Sequence, residues 1–233
     1  MTTALLQTTY FGPIQWYQKL YGYDHCIIEQ YDSYQKQTFR NRCIIATANG
    51  LQTLTVPVSY DVNTVSCDSV AGEKKCLVKD VRISDHNQWR RIHWNALQSA
   101  YNESPFFDYY ADDIRPFFEQ KYEFLIDFNE AIRQKMCELI DIHPNVEYTT
   151  SFLPPPSTLH SPPSTLHSPP SSLLPPLKDF RNVIHAKHPL PDNEFEAKPY
   201  WQVFQQKHGF LPNLSILDLL FNMGPESIFY LFK

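Results

Sequence analysis

Glycine is scarce in this 233-residue chain: there are six, and none between Gly72 and Gly209. Gly-x-Gly-x-x-Gly and Gly-x-x-x-x-Gly-Lys are both absent, which excludes the dinucleotide fingerprint and the P-loop. The Gly-x-Ser-x-Gly elbow of serine hydrolases is absent too. The five cysteines (Cys26, Cys43, Cys67, Cys76, Cys137) are odd in number and scattered, with no Cys-x-x-Cys. That pattern predicts free thiols in a reducing cytosol and argues against a zinc site. His185-x-x-His188 is the nearest approach to metal spacing, and Pro189 keeps it from being helical. Neither a metal nor a cofactor is expected. No apolar stretch approaches the roughly 18 residues needed to span a bilayer, and the first 25 residues lack a basic start followed by an apolar run. A cytoplasmic protein without a membrane span is expected. The net charge of −5 argues against nonspecific nucleic-acid binding, leaving only a local basic patch at Arg40, Arg42, Arg90 and Arg91.

The chain is rich in apolar residues, 42%, with 19% charged, the balance of a globular protein with a full core. Sixteen Phe and 14 Tyr point first to core packing and second to a surface that stacks on sugars or bases. Ala4-Leu5-Leu6 reads as a buried strand. Pro13 opens a helix over Ile14–Tyr21 that Gly22 stops, and Asp24–Glu29 reads as the next strand. Strand, helix, strand is the start of an α/β unit. Asn49-Gly50 between Cys43–Ala46 and Leu51–Val58 predicts a hairpin in which both turn residues accept positive φ. Val78–Ile83 alternates with period two and predicts a strand. Asp85 with Gln88 resembles a capping box for a helix bearing Trp89, Ile92, His93, Ala96, Leu97 and Ala100 on one face. A longer helix is expected over about 120–141.

Nine of the 19 prolines fall in residues 154–176, where Ser157–Pro163 is repeated at 164–170. Proline fixes φ and removes amide donors, so an extended insert without a core is expected at 154–177. Beyond it, Asn213–Phe221 reads as a capped apolar helix, and Gly224-Pro225 ends it and starts another. The apolar end should return to the main core. The expected fold is therefore α/β: a mixed β-sheet in the N-terminal half and a mostly helical C-terminal half, one domain over residues 1–233 with a proline-rich insertion.

Two segments concentrate chemistry. In Tyr31–Arg42, Asp32 and Lys36 could hold a polar substrate between opposite charges, with Tyr34 beside them. Asn41 and Arg42 supply amide and guanidinium donors, the latter suited to carboxylate or phosphate. The alternative is a solvated connection with Arg42 in a structural ion pair. In the second segment, His93 shares a helix face with Trp89, with Tyr101 farther along. A neutral imidazole there could act as a base, or be a core histidine bonded to main chain. Cys43 beside Arg42 is either a small core residue or a thiolate nucleophile.

The order of these segments resembles the WbqC-like protein family of bacterial surface-polysaccharide clusters. The matching stretches are Tyr10–Tyr17, Tyr34-Gln35-Lys36 leading to Asn41-Arg42-Cys43, and Leu54–Val58. They continue with Trp89-Arg90-Arg91-Ile92-His93, Ala100–Phe107 and Asn213–Asn222. The resemblance implies an aminoacyl transferase of the glycine type that modifies a sugar in lipopolysaccharide O-antigen or capsule biosynthesis. Its acceptor would be a nucleotide sugar or glycan. Its donor would be an aminoacyl carrier protein, an aminoacyl-tRNA or a free adenylate. On that reading His93, Asn41 and Arg42 are catalytic, and Asp32, Tyr34, Lys36, Trp89 and Tyr101 bind substrate. A different class of function, a noncatalytic module presenting a carrier protein or nucleotide sugar to an assembly enzyme, fits the same residues. Many relatives carry His-Gln-Pro near the start where this chain has Leu6-Gln7-Thr8, so no role for that histidine transfers here.

Overall fold

The computed structural model describes residues 1–59, 76–155 and 177–232. Strand β1 (Thr3–Gln7) is buried along its whole length. It leads through Pro13, extended at the helix entrance, into α1 (Ile14–Gly22) and then β2 (His25–Glu29), which pairs parallel to β1. Fixed φ at Pro13 suits a helix start because its missing N–H would have had no partner there. Helix α1 is buried on nearly all sides, Lys19 included, because the sheet lies on one side and the C-terminal helix on the other. A Cβ on Gly12 would stand 2.4 Å from Thr9 Oγ1, so the tight path from β1 into α1 needs glycine there.

Strands β3 (Arg42–Thr47) and β4 (Gly50–Thr55) form the expected antiparallel hairpin. Of its Asn-Gly pair only Gly50 has positive φ, at 100°. The two-residue strand β5 (Val58–Ser59) pairs with β6 (Arg82–Ile83). The alternating strand expected over Val78–Ile83 is instead a 3₁₀ turn, Val78–Asp80, followed by β6. The turn brings both Val78 and Val81 into the core, a spacing of three that a strand could not deliver to one face.

Helices α2 (Trp89–Tyr101), α3 (Phe107–Ile114), α4 (Pro116–Glu119) and α5 (Leu125–Ile140) follow. No Asp85 capping box forms. Gln88, left-handed at φ 47°, precedes α2 without a side-chain cap, and the Asp85 carboxylate is engaged by Arg90 and Lys121. Strands β7 (Val146–Tyr148) and β8 (Leu177–Asp179) complete a four-stranded sheet of order β7-β2-β1-β8, parallel throughout. The α/β class stands. The sheet draws two of its four strands from beyond Ile140, and antiparallel pairing is confined to β3–β4 and β5–β6 among the named strands. The repeats at 157–170 lie outside the described residues.

Helix α6 (Gln205–His208) and helix α7 (Ile216–Met223) lead to a 3₁₀ segment, Gly224–Tyr230. Leu217, Leu220 and Phe221 are fully buried, so the C-terminal helix does return to the core, packed on α1, α3 and β3. Its buried Asp218 accepts from Tyr101 Oη at 2.8 Å and Tyr200 Oη at 2.6 Å. Ser215 caps α7: its Oγ accepts from Leu217 N–H at 3.3 Å and donates to the Phe11 carbonyl at 2.8 Å. Ser215→Ala removes both bonds and is expected to cost about 1–2 kcal/mol, the upper range for a lost cap. Urea unfolding at constant m checks it, and an unchanged midpoint would contradict the cap assignment.

Candidate functional site

Strand order decides where a site can form. From β1 the chain crosses to β2 and on to β7 on one side, then returns to β8 on the other side of β1. The strand order therefore reverses between β1 and β8, and in open α/β sheets such a switch point is where ligands bind. Gln7 ends β1, Glu29 ends β2, and Asp179 ends β8.

A buried charge network ties the ends of β2 and β8 together. Glu29, whose side chain is fully buried, accepts from Tyr31 N–H (2.7 Å), Thr149 Oγ1 (2.8 Å) and Leu153 N–H (2.8 Å). Arg181 lies 3.5 Å from Glu29 through Nη1, donates to Asp179 Oδ2 at 2.6 Å and to the Leu153 carbonyl at 2.8 Å. Burial disfavours the Arg181 charge, but Asp179, Asp32 and Glu29 outweigh it and hold its pKa above the ordinary value. Arg40, also buried, pairs with Asp32 at 2.8 Å; here burial prevails and its pKa falls.

Around this network several buried polar atoms have no partner among the described residues: Gln7 Oε1, Thr9 Oγ1, Arg40 Nε, Asn41 Oδ1 and Arg42 Nε. Leaving one such group unsatisfied costs about 1–3 kcal/mol, so these five, at the end of β1 and the start of β3, are candidates to meet a polar ligand or ordered water; Lys19 Nζ, His25 Nε2, Asn129 Oδ1 and Asn222 Oδ1 are the others among the described residues. Asn41 is held rigidly, its Nδ2 donating to the Val56 carbonyl at 2.8 Å and its own carbonyl accepting Val56 N–H at 2.7 Å. Next to it opens a recess of about 560 Å³ lined by Tyr34, Lys36, Gln37, Asn41, Arg42, Val58 and Ser59.

Four of the residues singled out in the sequence thus meet: Tyr34, Lys36, Asn41 and Arg42 line one recess. Asp32 lies beside it, with its carboxylate on Arg40. Trp89, His93 and Tyr101 are elsewhere, on the inner face of α2. Trp89 donates to the Ser84 carbonyl at 3.0 Å and stacks edge-on against His93 and Phe128. Tyr101 is bound to Asp218. The four arginines form no single patch, since Arg40 pairs with Asp32 and Arg90 with Asp85. Cys43 is buried, and burial pushes its thiol well above the ordinary value, away from thiolate chemistry. Among the described residues no group of three or more His, Cys, Asp or Glu could hold a metal ion. No helix among them is long and apolar enough to cross a membrane.

His93 is only 4% exposed, with Nδ1 2.9 Å from Tyr10 Oη. Burial lowers its pKa to about 4, against a hydrogen bond to the Thr55 main chain that raises it. Thr55 is the register partner of Arg42, so the imidazole supports the strand pair behind the recess without lining it. A depressed histidine pKa means that the unfolded state binds the proton first. The stability His93 lends is complete above pH 6.5 and is lost as pH falls to about 4. His93→Gln, which keeps a donor and an acceptor, is expected to flatten this limb by up to one proton, about 1.4 kcal/mol per pH unit. Urea midpoints from pH 7 to 4 measure it, and parallel profiles would contradict a buried neutral imidazole.

Gln7, Glu29, Asp179 and Arg181 gave no signal in the sequence that local patterning could read. The carboxyl-end rule would have found Gln7 and Glu29 once β1 and β2 were taken as parallel.

The sequence model of the WbqC-like protein family matches residues 7–161. An uncharacterized protein of Mycobacterium tuberculosis (strain ATCC 25618 / H37Rv), Rv1507c, is 26% identical over 233 residues, covering 98% of this chain and 96% of its own. No solved structure matches the chain.

Proposed function

The chain belongs to the WbqC-like protein family, and from that premise we propose that it transfers an aminoacyl group of the glycine type onto a sugar in O-antigen or capsule assembly. The observation supporting this reading is the recess, where Asn41 and Arg42 each keep a buried polar atom unpartnered among the described residues. Acyl transfer needs a donor fixed in advance for the oxygen that gains negative charge, and acceptors for the amine or hydroxyl that attacks. Arg42 Nε is the donor. Asn41 Oδ1, fixed through its own Nδ2, is the acceptor. Lys36 and Tyr34 hold the polar remainder of the substrate, and Asp32 fixes Arg40 behind them. His93 acts through Thr55 as a positioning residue, while Trp89 and Tyr101 keep α2 in place.

A second reading is favoured by one observation: no histidine or carboxylate lines the recess among the described residues. A wall without a base suits a module that presents a carrier protein or nucleotide sugar to an assembly enzyme. The two separate in a transfer assay. Purified protein is given a glycyl adenylate, glycyl-tRNA or glycyl carrier protein with a nucleotide sugar, and products are followed by mass spectrometry. Turnover beyond one equivalent supports the transferase. Stoichiometric binding with no product supports the module.

A further inference from the structure

The hairpin leaves one of its two edges open. Val56 N–H donates to the Asn41 carbonyl at 2.7 Å, which sets the phase of the β3–β4 ladder. In an antiparallel pair alternate residues exchange hydrogen bonds, and those between them turn their N–H and C=O groups outward. The register then directs Gln52 and Leu54 toward β3, and Leu51, Thr53 and Thr55 away from it. The outward groups of β3 are taken: the Ile44 carbonyl accepts Ser215 N–H at 2.8 Å, and the Ala46 main chain bonds Tyr101. On β4 the Thr55 main chain meets His93, but Leu51 and Thr53 face no other strand among the described residues. Leu51 is 62% exposed, with Gln52 and Thr53 exposed beside it.

An open edge of this kind is a template for another strand, and native proteins blunt it with charge, proline or a bulge. Strand β4 has none of these: its register with β3 is unbroken, and no charged residue occurs over residues 43–59. We propose that β4 is a dimerisation edge, where two copies of this chain pair antiparallel about a two-fold axis at Gln52. Leu51 of each copy then stands opposite Thr53 of the other, and the two exchange N–H and C=O bonds. Thr55 stays with His93. A second copy suits this edge better than a foreign strand. After a two-fold rotation an antiparallel edge offers the same order of donors and acceptors, so it is complementary to itself. The net charge of −5 makes copies repel, and an uncharged stretch is where they can approach. Thr55 is the register partner of Arg42, so the strand that joins the copies also backs the recess, but the pairing does not depend on what the recess binds.

Sedimentation equilibrium of the full chain over a micromolar dilution series tests this, with hydrogen exchange read at single amides. A dimer is expected, with the Leu51 and Thr53 amides better protected at high concentration than at low. Thr53→Pro removes an outward N–H that β3 does not use, the one place in a sheet where proline is tolerated. It should raise the dissociation constant about ten-fold or more, the scale of losing a donor on each side. Gln52→Lys and Gln52→Glu place like charges opposite each other at the axis and should each raise it about five-fold. An equimolar mixture of those two variants should restore the dimer. A monomer at every concentration would overturn the inference. A dimer that survives all three variants would overturn it too, because it would be held elsewhere. Charge variants that dissociate and are not rescued in the mixture would overturn the two-fold pairing at Gln52.

Discussion

Arg181→Met is expected to lower the unfolding free energy by about 3–5 kcal/mol, the scale for stripping one partner from a buried ion pair. Few native chains of this size have more than 5–15 kcal/mol to lose. The Arg181 side chain is 5% exposed and Glu29 is fully buried. Methionine fills comparable volume, so what is removed is the cation. Two carboxylates, Glu29 and Asp179, then face each other's charge without compensation, and the Leu153 carbonyl loses its donor. The ends of β2 and β8 and the segment after β7 would separate. The pH dependence distinguishes this from simple mispacking. In the variant the stranded carboxylates take up protons more readily than in the wild type. Its deficit should therefore shrink as pH falls from 7 to 5. A loss under about 1 kcal/mol, or one independent of pH, would show that Arg181 is a solvated ion pair of little weight.

Removal of the Arg42 fork should reduce transfer about 10²-fold or more with the fold intact, the range seen when a preorganised donor is lost. Arg42→Lys keeps the charge while losing Nε, the atom left buried without a partner. Asn41→Ala should also impair transfer, and it carries a structural cost, because Nδ2 bridges to Val56. Only kcat/KM values corrected for the folded fraction compare the two. Arg42 is the cleaner probe, since none of its side-chain atoms is needed for strand pairing with Thr55.

Much of the fold was legible because its signals are local. The buried run at β1, Pro13 before α1, Asn49-Gly50 in the hairpin and the apolar stripe of α7 each lie within a dozen residues. The strands β7 and β8 were not. Each is three residues long at a sheet edge, too short for any period to register, and β8 follows directly on a proline-rich stretch. Their loss hid the strand order and with it the switch point. The density of polar and aromatic residues over 31–42 singles out Tyr34, Lys36, Asn41 and Arg42, which line one recess. The pair Glu29–Arg181 is separated by 152 positions, and no spacing rule reaches that far. His93 was placed correctly on the inward face of α2. Amphipathic period distinguishes inside from outside; it does not separate a cleft from a core, and here inside is core.

The proposed ligand site is the recess at the start of β3, with Asn41 and Arg42 on its wall. Side-chain ¹⁵N NMR of those two residues during titration with the nucleotide sugar tests it most directly. Saturable shifts of the Asn41 Nδ2 and Arg42 Nε signals are expected, with the Trp89 and Trp94 indole signals on α2 left in place. Saturable binding that moves the indoles and leaves Asn41 and Arg42 untouched would contradict it.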